Sequence, residues 1–304
     1  MRIFISGASG VIGRRVTPQL LAAGHDLTLL TRRGGAQPKL NGARAVQGDL
    51  FDRDGLTRAV AGHDVIINLA THMPSPAWKM VFRSAWRLND RIRKEGVANL
   101  VDAALAGGVG VFLQESFALT YPDRGEQWID EDTELRPETY NRTVLDAEGS
   151  VARFTAQGGR GVALRFAAFC GPDAVQMRTY VDGLRQGWAA LPGGPDAYLS
   201  SVSHDDAAAA VVAALQAPAG AYNVTDDRPL RRRDYFGSLA AALKAPAPRF
   251  PPRWATPLFG AVGGAMSRSL RLRNDKLKQA TGWSPRWASA ADAWPAVLND
   301  MGAG

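Results

Sequence analysis

The sequence contains a single cysteine, Cys170, among 304 residues. One thiol cannot form a disulfide framework or a zinc site built on several thiolates, so we expect no metal site and a reducing compartment. Uninterrupted apolar runs are also scarce. Residues 2–6 and 27–30 have the length of strands, far below the roughly 20 residues of a membrane helix. Residues 1–10 lack the charged flank and cleavage site of a secretion signal. These absences predict a soluble, cytoplasmic protein without a membrane partner.

The chain has a modest excess of positive charge, with 36 basic against 29 acidic side chains and a formal net charge of +7. The charges are dispersed, and their densest run is the three arginines at 231–233. The sequence lacks the interleaving of basic and aromatic residues that is typical of single-stranded nucleic-acid binding. We therefore expect no nucleic-acid partner and a preference for anionic small molecules.

Short apolar runs alternate with amphipathic stretches along the first 170 residues, which is the pattern of parallel βαβ units. The predicted strands span residues 2–6, 26–31, 43–47, 65–69, 109–114 and 161–166. Residues 87–106 and 140–156 carry apolar side chains three and four apart and predict crossover helices. The predicted fold class is α/β, a doubly wound parallel Rossmann sheet with a smaller, mainly C-terminal substrate domain.

The predicted domain boundary follows the loss of this alternation. Residues 1–170 are expected to form the dinucleotide-binding domain, and a strand-like run at 221–224 indicates that residues 201–227 return to it. The chain after Gly171 is richer in short Pro, Gly and Trp segments. Residues 171–200 and 228–304 are therefore assigned to the substrate-binding domain.

A glycine-rich turn directly follows the first predicted strand and opens a helix. It reads Ser6-Gly7-Ala8-Ser9-Gly10-Val11-Ile12-Gly13, with the glycines spaced G-x-x-G-x-x-G. Small residues let backbone N–H groups approach a diphosphate, and the helix N-terminus adds positive potential. Gly7, Ser9, Gly10, Val11, Ile12 and Gly13 are therefore predicted to hold a dinucleotide, against the plainer alternative of a tight turn.

This turn and other stretches over nearly the whole chain resemble the extended short-chain dehydrogenase/reductase family, of the NAD-dependent epimerase/dehydratase type. The other stretches are Asp49-Leu50, Asn68-Leu69-Ala70, Asn99-Leu100-Val101-Asp102-Ala103, the acidic run at 130–133 ahead of Tyr140, Val202-Ser203-His204-Asp205-Asp206, Tyr222-Asn223-Val224 and residues 277–285. The resemblance implies contacts of Asp49 and Leu50 with adenine. It also implies that Leu69, Ala70, Thr71, Tyr140 and Phe166 line the ribose and nicotinamide path, and that the protein is a homodimer.

The end of the second predicted strand indicates which nicotinamide nucleotide is bound. An acidic residue there would bind the ribose hydroxyls of NAD, but this strand ends Leu30-Thr31-Arg32-Arg33. Arg32 and Arg33 can form charge-assisted hydrogen bonds to a 2′-phosphate, and Arg14 or Arg15 can add to the local field. We expect NADP as the cofactor, unless these arginines belong only to an arginine-rich surface.

The family's catalytic lysine has no counterpart in this sequence. In the family, a tyrosine precedes a lysine by four residues on one helix, and the lysine holds the nicotinamide ribose and lowers the tyrosine pKa. Here Val144 stands four residues after Tyr140, and no lysine occurs from residue 95 to residue 243. The usual tyrosine–lysine mechanism is therefore not expected.

Three candidate catalytic residues remain: Tyr140, Ser116 and His72. Tyr140 can act as a neutral hydrogen-bond donor in reduction of a carbonyl, imine or conjugated double bond. The family's Ser or Thr position holds Phe117, and Ser116 lies one residue earlier, where strand alternation turns it away unless a bulge intervenes. Other polar groups that follow strand ends, where ligands bind in such sheets, are His72, Glu115, Thr120 and Tyr121.

The substrate region departs from members of the family that bind sugar nucleotides. Those members carry Arg-Tyr-Phe-Asn after the sixth strand, whereas this chain reads Arg165-Phe166-Ala167-Ala168 and lacks the amide. An apolar pocket is expected if Met177, Tyr180, Trp188, Tyr198 and Trp254 converge, although several could be core residues. The predicted function is NADP(H)-dependent reduction of a small apolar or aromatic carbonyl, imine or enone. An NADP-binding regulator without turnover and a non-redox lyase, cyclase or isomerase are the alternatives.

Overall fold

The computed structural model describes residues 1–32, 42–252, 254, 256 and 260–302. Its strands are β1 (Arg2–Ser6), β2 (Asp26–Thr31), β3 (Ala43–Gln47), β4 (Val65–Asn68), β5 (Val111–Phe117), β6 (Trp128–Ile129), β7 (Arg160–Phe166), β8 (Ala168–Phe169), β9 (Tyr198–Leu199), β10 (Ser201–Val202), β11 (Gly220–Val224), β12 (Leu230–Arg231) and β13 (Arg271–Leu272). Its α-helices are α1 (Gly13–Ala22), α2 (Arg53–Val60), α3 (Arg87–Arg91), α4 (Val97–Ala106), α5 (Val144–Ala156), α6 (Met177–Arg185), α7 (His204–Ala213), α8 (Arg232–Ala242), α9 (Gly260–Ser267), α10 (Asp275–Thr281) and α11 (Ala290–Met301). A π-helical turn, Ile92–Gly96, joins α3 to α4.

Seven parallel strands form the central sheet, in the order β11-β7-β5-β4-β1-β2-β3. The chain winds outward from β1 to β3 on one side and from β4 to β11 on the other, so the order reverses between β1 and β4. Open α/β sheets bind ligands beyond the carboxyl ends of the strands at such a reversal. The predicted doubly wound Rossmann fold is confirmed. The strand expected at 221–224 is β11, which pairs with β7 in the main sheet.

Helices cover both faces of this sheet, which explains why its inner strands are apolar throughout. On one face, Ile3 and Ile5 pack with residues of α1 and α7. On the other face, Phe4, Ile66 and Phe112 pack with residues of α2, α4 and α5. A separate buried cluster lies between α6, α8 and α11 and includes Met177, Tyr180, Tyr235, Phe236 and Trp294.

Two predicted helices differ from the structure. The stretch at 87–106 is divided into α3, the π-helical turn and α4. The stretch predicted from Tyr140 becomes helical only at Val144, because the preceding hydrogen bonds join residues three apart. Examples are the Asn141 N–H to the Glu138 carbonyl and the Val144 N–H to the Asn141 carbonyl. None of the helices in the described ranges has the length and apolarity required to span a bilayer.

Candidate functional site

A cleft of about 410 Å³ opens beyond the carboxyl ends of the central strands. Ligand sites in proteins are usually clefts of about 300–1,000 Å³. Its lining residues are Ser6, Gly7, Ser9, Gly10, Val11, Ile12, Gly13, Leu30, Thr31, Arg32, Gly48, Asp49, Leu50, Phe51, Leu69, Ala70, Thr71, His72, Met73, Leu88, Ile92, Glu115, Phe166, Phe169, Asp173, Ala174, Val175, Gln176 and His204. The cleft therefore brings the predicted phosphate turn and the predicted nicotinamide path into one cavity.

The glycine-rich turn is packed directly against the end of β4. Gly7 has φ +81°, and a Cβ added there would lie 2.5 Å from the Leu69 carbonyl carbon and 2.6 Å from the Ala70 nitrogen. A Cβ on Gly13 would collide with the Gly7 oxygen. No side chain in the described ranges caps the start of α1, and its first turn has no acidic residue. The turn thus leaves a compact backbone and an open helix N-terminus, which fit a diphosphate.

The side of the cleft next to β2 carries a basic side chain. Arg32 lines the cleft there and is exposed, while its predicted partner Arg33 lies outside the described residues. Asp49 is held in a turn, because its Oδ1 accepts the Phe51 N–H at 3.0 Å. The Phe51 ring in turn packs under the Arg91 guanidinium, whose carbon lies 3.7 Å from the ring centre. Arg32 and Asp49, the predicted contacts of the adenosine part, therefore both line the cleft.

The end of β4 is fixed by a buried amide. Asn68 donates from Nδ2 to Gln114 Oε1 at 2.8 Å, and its Oδ1 accepts the Ala70 N–H at 3.2 Å. Leu69, Ala70 and Thr71 follow it into the cleft wall, and Phe166 lines the same cavity from the end of β7. These residues form a fixed surface along the predicted ribose and nicotinamide path.

Arg14 and Arg15 are not among the lining residues, but they pair with acidic side chains, of which Asp173 does line the cleft. Both guanidinium groups pair with Asp173, at 2.7 Å for Arg15, and Arg15 also pairs with Asp205 at 2.8 Å. Hydrogen bonds from Arg14 and then Arg15 lower the pKa of Asp173 to about 2. These contacts tie the segment after β8 to α1 and so close one wall of the cleft.

His204 lies in the same wall as a neutral ring. It is 3% exposed, its ring centre lies 5.2 Å from that of Phe169, and its Nδ1 has no hydrogen-bond partner among the described residues. Burial, followed by the charge of Arg15, lowers the pKa of His204 to about 4. The imidazole is therefore uncharged near neutral pH and adds to the apolar character of this wall.

Two of the three candidate catalytic residues lie outside the cleft lining. Tyr140 is 4% exposed and packs on Trp86, with ring centres 4.8 Å apart, beside Val262 and Ala265. This burial raises the pKa of Tyr140. Tyr140 precedes α5, and Val144 is the first residue of that helix. The two residues therefore do not lie on one face of a helix, which is the arrangement that the family resemblance implies.

Ser116 belongs to a buried polar network under the sheet. Its hydroxyl donates to Glu148 Oε1 at 2.5 Å, and Glu148 pairs with Arg165 at 2.7 Å. The register of β5 against β7 is regular through Ser116 and Phe117, so no bulge turns the serine toward the cleft. His72 does line the cleft, is exposed, and has its backbone N–H bonded to Asn89 Oδ1 at 3.0 Å.

The five large apolar side chains that would form a pocket if they converged do not line the cleft, and the alternative of core positions holds for two of them. Met177 and Tyr180 belong to the buried C-terminal core, Trp188 and Trp254 are exposed, and the Tyr198 ring contacts the guanidinium groups of Arg231 and Arg271. The apolar end of the cleft is formed instead by Met73, Leu88, Ile92, Phe166, Phe169 and Val175.

Three residues of this wall were not predicted from the sequence. Phe169, Asp173 and His204 reach the cleft from the short strands β8 and β10, which pair with each other outside the main sheet. The strands β8 and β10 have two residues each and are not among the predicted strands, so no local sequence pattern indicated these residues. Glu115 is one of several polar groups that the sequence predicts near strand ends, and its side chain lines the cleft.

The sequence model of the NAD dependent epimerase/dehydratase family matches residues 3–225. The chain belongs to this family. Within it, a Streptomyces protein named 3-diazoavenalumate denitrifying reductase is 31% identical over 309 residues, covering 96% of this chain and 98% of that protein. The 2-alkyl-3-oxoalkanoate reductase of Shewanella oneidensis is 25% identical, and the match covers 89% of this chain and 73% of the Shewanella protein.

Solved structures of the family share the fold. The human epimerase family protein SDR39U1 (isoform 2) with NADPH has a TM-score of 0.80 at 20% identity, covering 99% of this chain and all of that one. The UDP-glucose 4-epimerase of Thermus thermophilus in complex with NAD has a TM-score of 0.77 at 23% identity, covering both chains fully. The chain therefore has an extended short-chain dehydrogenase/reductase fold, in which solved neighbours hold NAD or NADPH.

Proposed function

We propose that this chain is an NADPH-dependent reductase whose substrate is a small aromatic electrophile that carries its own positive charge, with an aryl diazonium ion as the leading class. The observation that carries the proposal is the position of Tyr140. Its ring is buried against Trp86, outside the cleft lining, and the sequence predicts Val144 at the position of the family's lysine. A reaction that needs no proton from a tyrosine–lysine pair is compatible with this arrangement.

The nucleotide would lie along the cleft from the phosphate turn to Phe166. Gly7, Ser9, Gly10, Val11, Ile12 and Gly13 supply the diphosphate site, with Asp49 and Leu50 at adenine and Leu69, Ala70, Thr71 and Phe166 beside the nicotinamide. Arg32 supports NADP over NAD, because a guanidinium group can form charge-assisted hydrogen bonds to a 2′-phosphate.

The charge of the substrate determines whether a proton donor is needed. Reduction of a neutral carbonyl builds negative charge on oxygen, which a general acid normally neutralises. When bound, NADPH supplies a hydride that replaces the departing N2 of an aryl diazonium ion, so the products are the arene, N2 and NADP⁺, and no proton is taken up. The 31% identical relative named 3-diazoavenalumate denitrifying reductase supports this class, and the apolar lining of Met73, Leu88 and Phe169 suits an aromatic ring.

The candidate polar residues take different parts in this proposal. His72, exposed in the cleft, contacts the substrate. Tyr140 and Ser116 have structural parts, packing against Trp86 and completing the Glu148–Arg165 network.

The experiment is single-turnover and steady-state reduction of a benzenediazonium salt with NADPH carrying deuterium at C4. We expect stoichiometric N2 release, deuterium on the ring carbon that carried nitrogen, and a kcat that stays flat from weakly acidic to neutral pH. A panel of ketones, enones and imines serves as the comparison. Deuterium transfer to a neutral ketone but not to the diazonium ion would overturn the proposal in favour of a carbonyl reductase. NADPH binding without transfer to any acceptor would favour a regulator.

A further inference from the structure

Glu115 places a carboxylate at the apolar end of the cleft. Its side chain is 16% exposed and lines the cavity at the end of β5. Oε1 accepts a hydrogen bond from Arg93 Nη2 at 3.0 Å, whereas Oε2 is buried and has no hydrogen-bond partner in the described part of the chain. A buried carboxylate oxygen without a partner is costly, and in a cleft wall it marks a group that a ligand can satisfy.

The fold holds this carboxylate in place from behind. Side chains alternate along β5, so Glu115 faces the cleft and Ser116 faces the opposite side, toward Glu148. Arg93 is 4% exposed and lies in the π-helical turn Ile92–Gly96, whose first residue also lines the cleft. Turns of this kind interrupt α-helices frequently at functional sites. Arg93 thus anchors one oxygen of Glu115 and leaves the other unpartnered.

Arg93 offsets the charge of Glu115 through Oε1 but leaves Oε2 without a partner in the described part of the chain. Asp173, another acidic residue of the lining, is paired with Arg14 and Arg15. Burial lowers the pKa of His204 to about 4, so this ring adds no positive charge near neutral pH. The only lysine or arginine among the described lining residues is Arg32, beyond the end of β2. An apolar surface with one carboxylate favours a ligand that is aromatic and cationic.

We infer that Glu115 positions the cationic group of the substrate at the apolar end of the cleft and selects it over neutral groups of the same shape. This inference rests on the proposed function, because it names what that site recognises. The attraction is strongest before reduction, when the substrate is fully charged, and it weakens as the charge is lost. Removing it should therefore raise KM without lowering kcat.

The test uses two ligands of equal shape. An aryl nitrile has the same linear geometry as an aryl diazonium ion but no net charge. In Glu115→Gln we expect KM for the diazonium ion to rise about tenfold, while kcat, the inhibition constant of the nitrile and the Kd for NADPH stay unchanged. Because this variant leaves Arg93 buried without its partner, Glu115→Gln/Arg93→Met is measured in parallel, and the same selective loss is expected there.

Three outcomes would overturn the inference. An equal loss of diazonium and nitrile binding would mean that Glu115 acts through shape, and a weakened Kd for NADPH would mean that it holds the cofactor. Unchanged diazonium binding in both variants would mean that it has no part in recognition. Calorimetry on the NADP⁺-loaded protein separates this inference from the proposed reaction. Preferential diazonium binding that depends on Glu115, without turnover by the NADPH form, would support the inference while the proposed function fails.

Discussion

The two ends of the cleft are formed by different parts of the chain, the backbone at one end and side chains at the other. The phosphate end uses backbone, with Gly7, Gly10 and Gly13 spaced so that the turn packs on β4 and leaves the start of α1 open. The opposite end is formed by side chains, and Tyr140, the predicted catalytic tyrosine, lies outside the lining there. Backbone recognition needs only small residues at fixed spacing, whereas recognition by side chains depends on which residues reach the cleft.

This difference also separates what each end can discriminate. Backbone N–H groups recognise any diphosphate, so under the proposed function selection between nucleotides at that end would depend on the side chain of Arg32. At the other end, the apolar surface and Glu115 would select by shape and charge. Under the proposed function, the cleft joins a general nucleotide site to a specialised substrate site.

The largest expected effect comes from breaking the phosphate end. In Gly7→Ala, the new Cβ would lie 2.5 Å from the Leu69 carbonyl carbon, and φ +81° is unfavourable for alanine. We expect NADPH affinity, measured by calorimetry, to fall by more than about 100-fold.

The matched control is Gly24→Ala. Gly24 has φ +77°, but nothing lies within 4 Å of its added Cβ. This variant should lose about 1 kcal/mol in the free energy of unfolding and keep its NADPH affinity. Equal losses of affinity in both variants would contradict the importance of the close approach to β4.

A smaller effect should separate the two nicotinamide nucleotides. Arg32→Ala removes the cleft-lining guanidinium beside the predicted 2′-phosphate position. We expect NADPH binding to weaken by about tenfold to a hundredfold, the loss of roughly 1.5–3 kcal/mol for hydrogen bonds to a charged group, with NADH binding unchanged. Arg44→Ala, which removes an exposed arginine of β3 outside the lining, controls for net charge. A parallel fall for NADPH and NADH in Arg32→Ala would refute the assignment.

The smallest effect is expected at Tyr140. A hydroxyl that acts as general acid contributes about 10²–10⁴ to kcat. Because Tyr140 is buried on Trp86 outside the lining, Tyr140→Phe should change kcat for diazonium reduction by less than about threefold. Tyr180→Phe, in the C-terminal core, controls for the loss of a buried hydroxyl elsewhere. A hundredfold fall in kcat for Tyr140→Phe but not for Tyr180→Phe would mean that the Tyr140 hydroxyl takes part in the reaction.

Local patterns predicted the sheet and the phosphate turn, because parallel strands buried on both faces are apolar throughout and a diphosphate site needs glycines after a strand. The strands β1, β2 and β3 begin and end where the sequence predicts. The start of α5 and the π-helical turn before α4 could not be read this way, since apolar spacing of three and four residues is common to these helical turns and to an α-helix. The lining from Phe169 and His204 depends on the pairing of β8 with β10, a tertiary contact without a local pattern.

The packing of Gly7 against the peptide between Leu69 and Ala70 joins the glycine-rich turn directly to the segment after β4. The predicted diphosphate turn therefore cannot shift without displacing the wall predicted to lie beside the nicotinamide. The spacing between these two surfaces is therefore set when the chain folds, before any nucleotide arrives. Under the proposed function, this fixed spacing favours a dinucleotide, which reaches both surfaces, over a mononucleotide, which would contact only one of them.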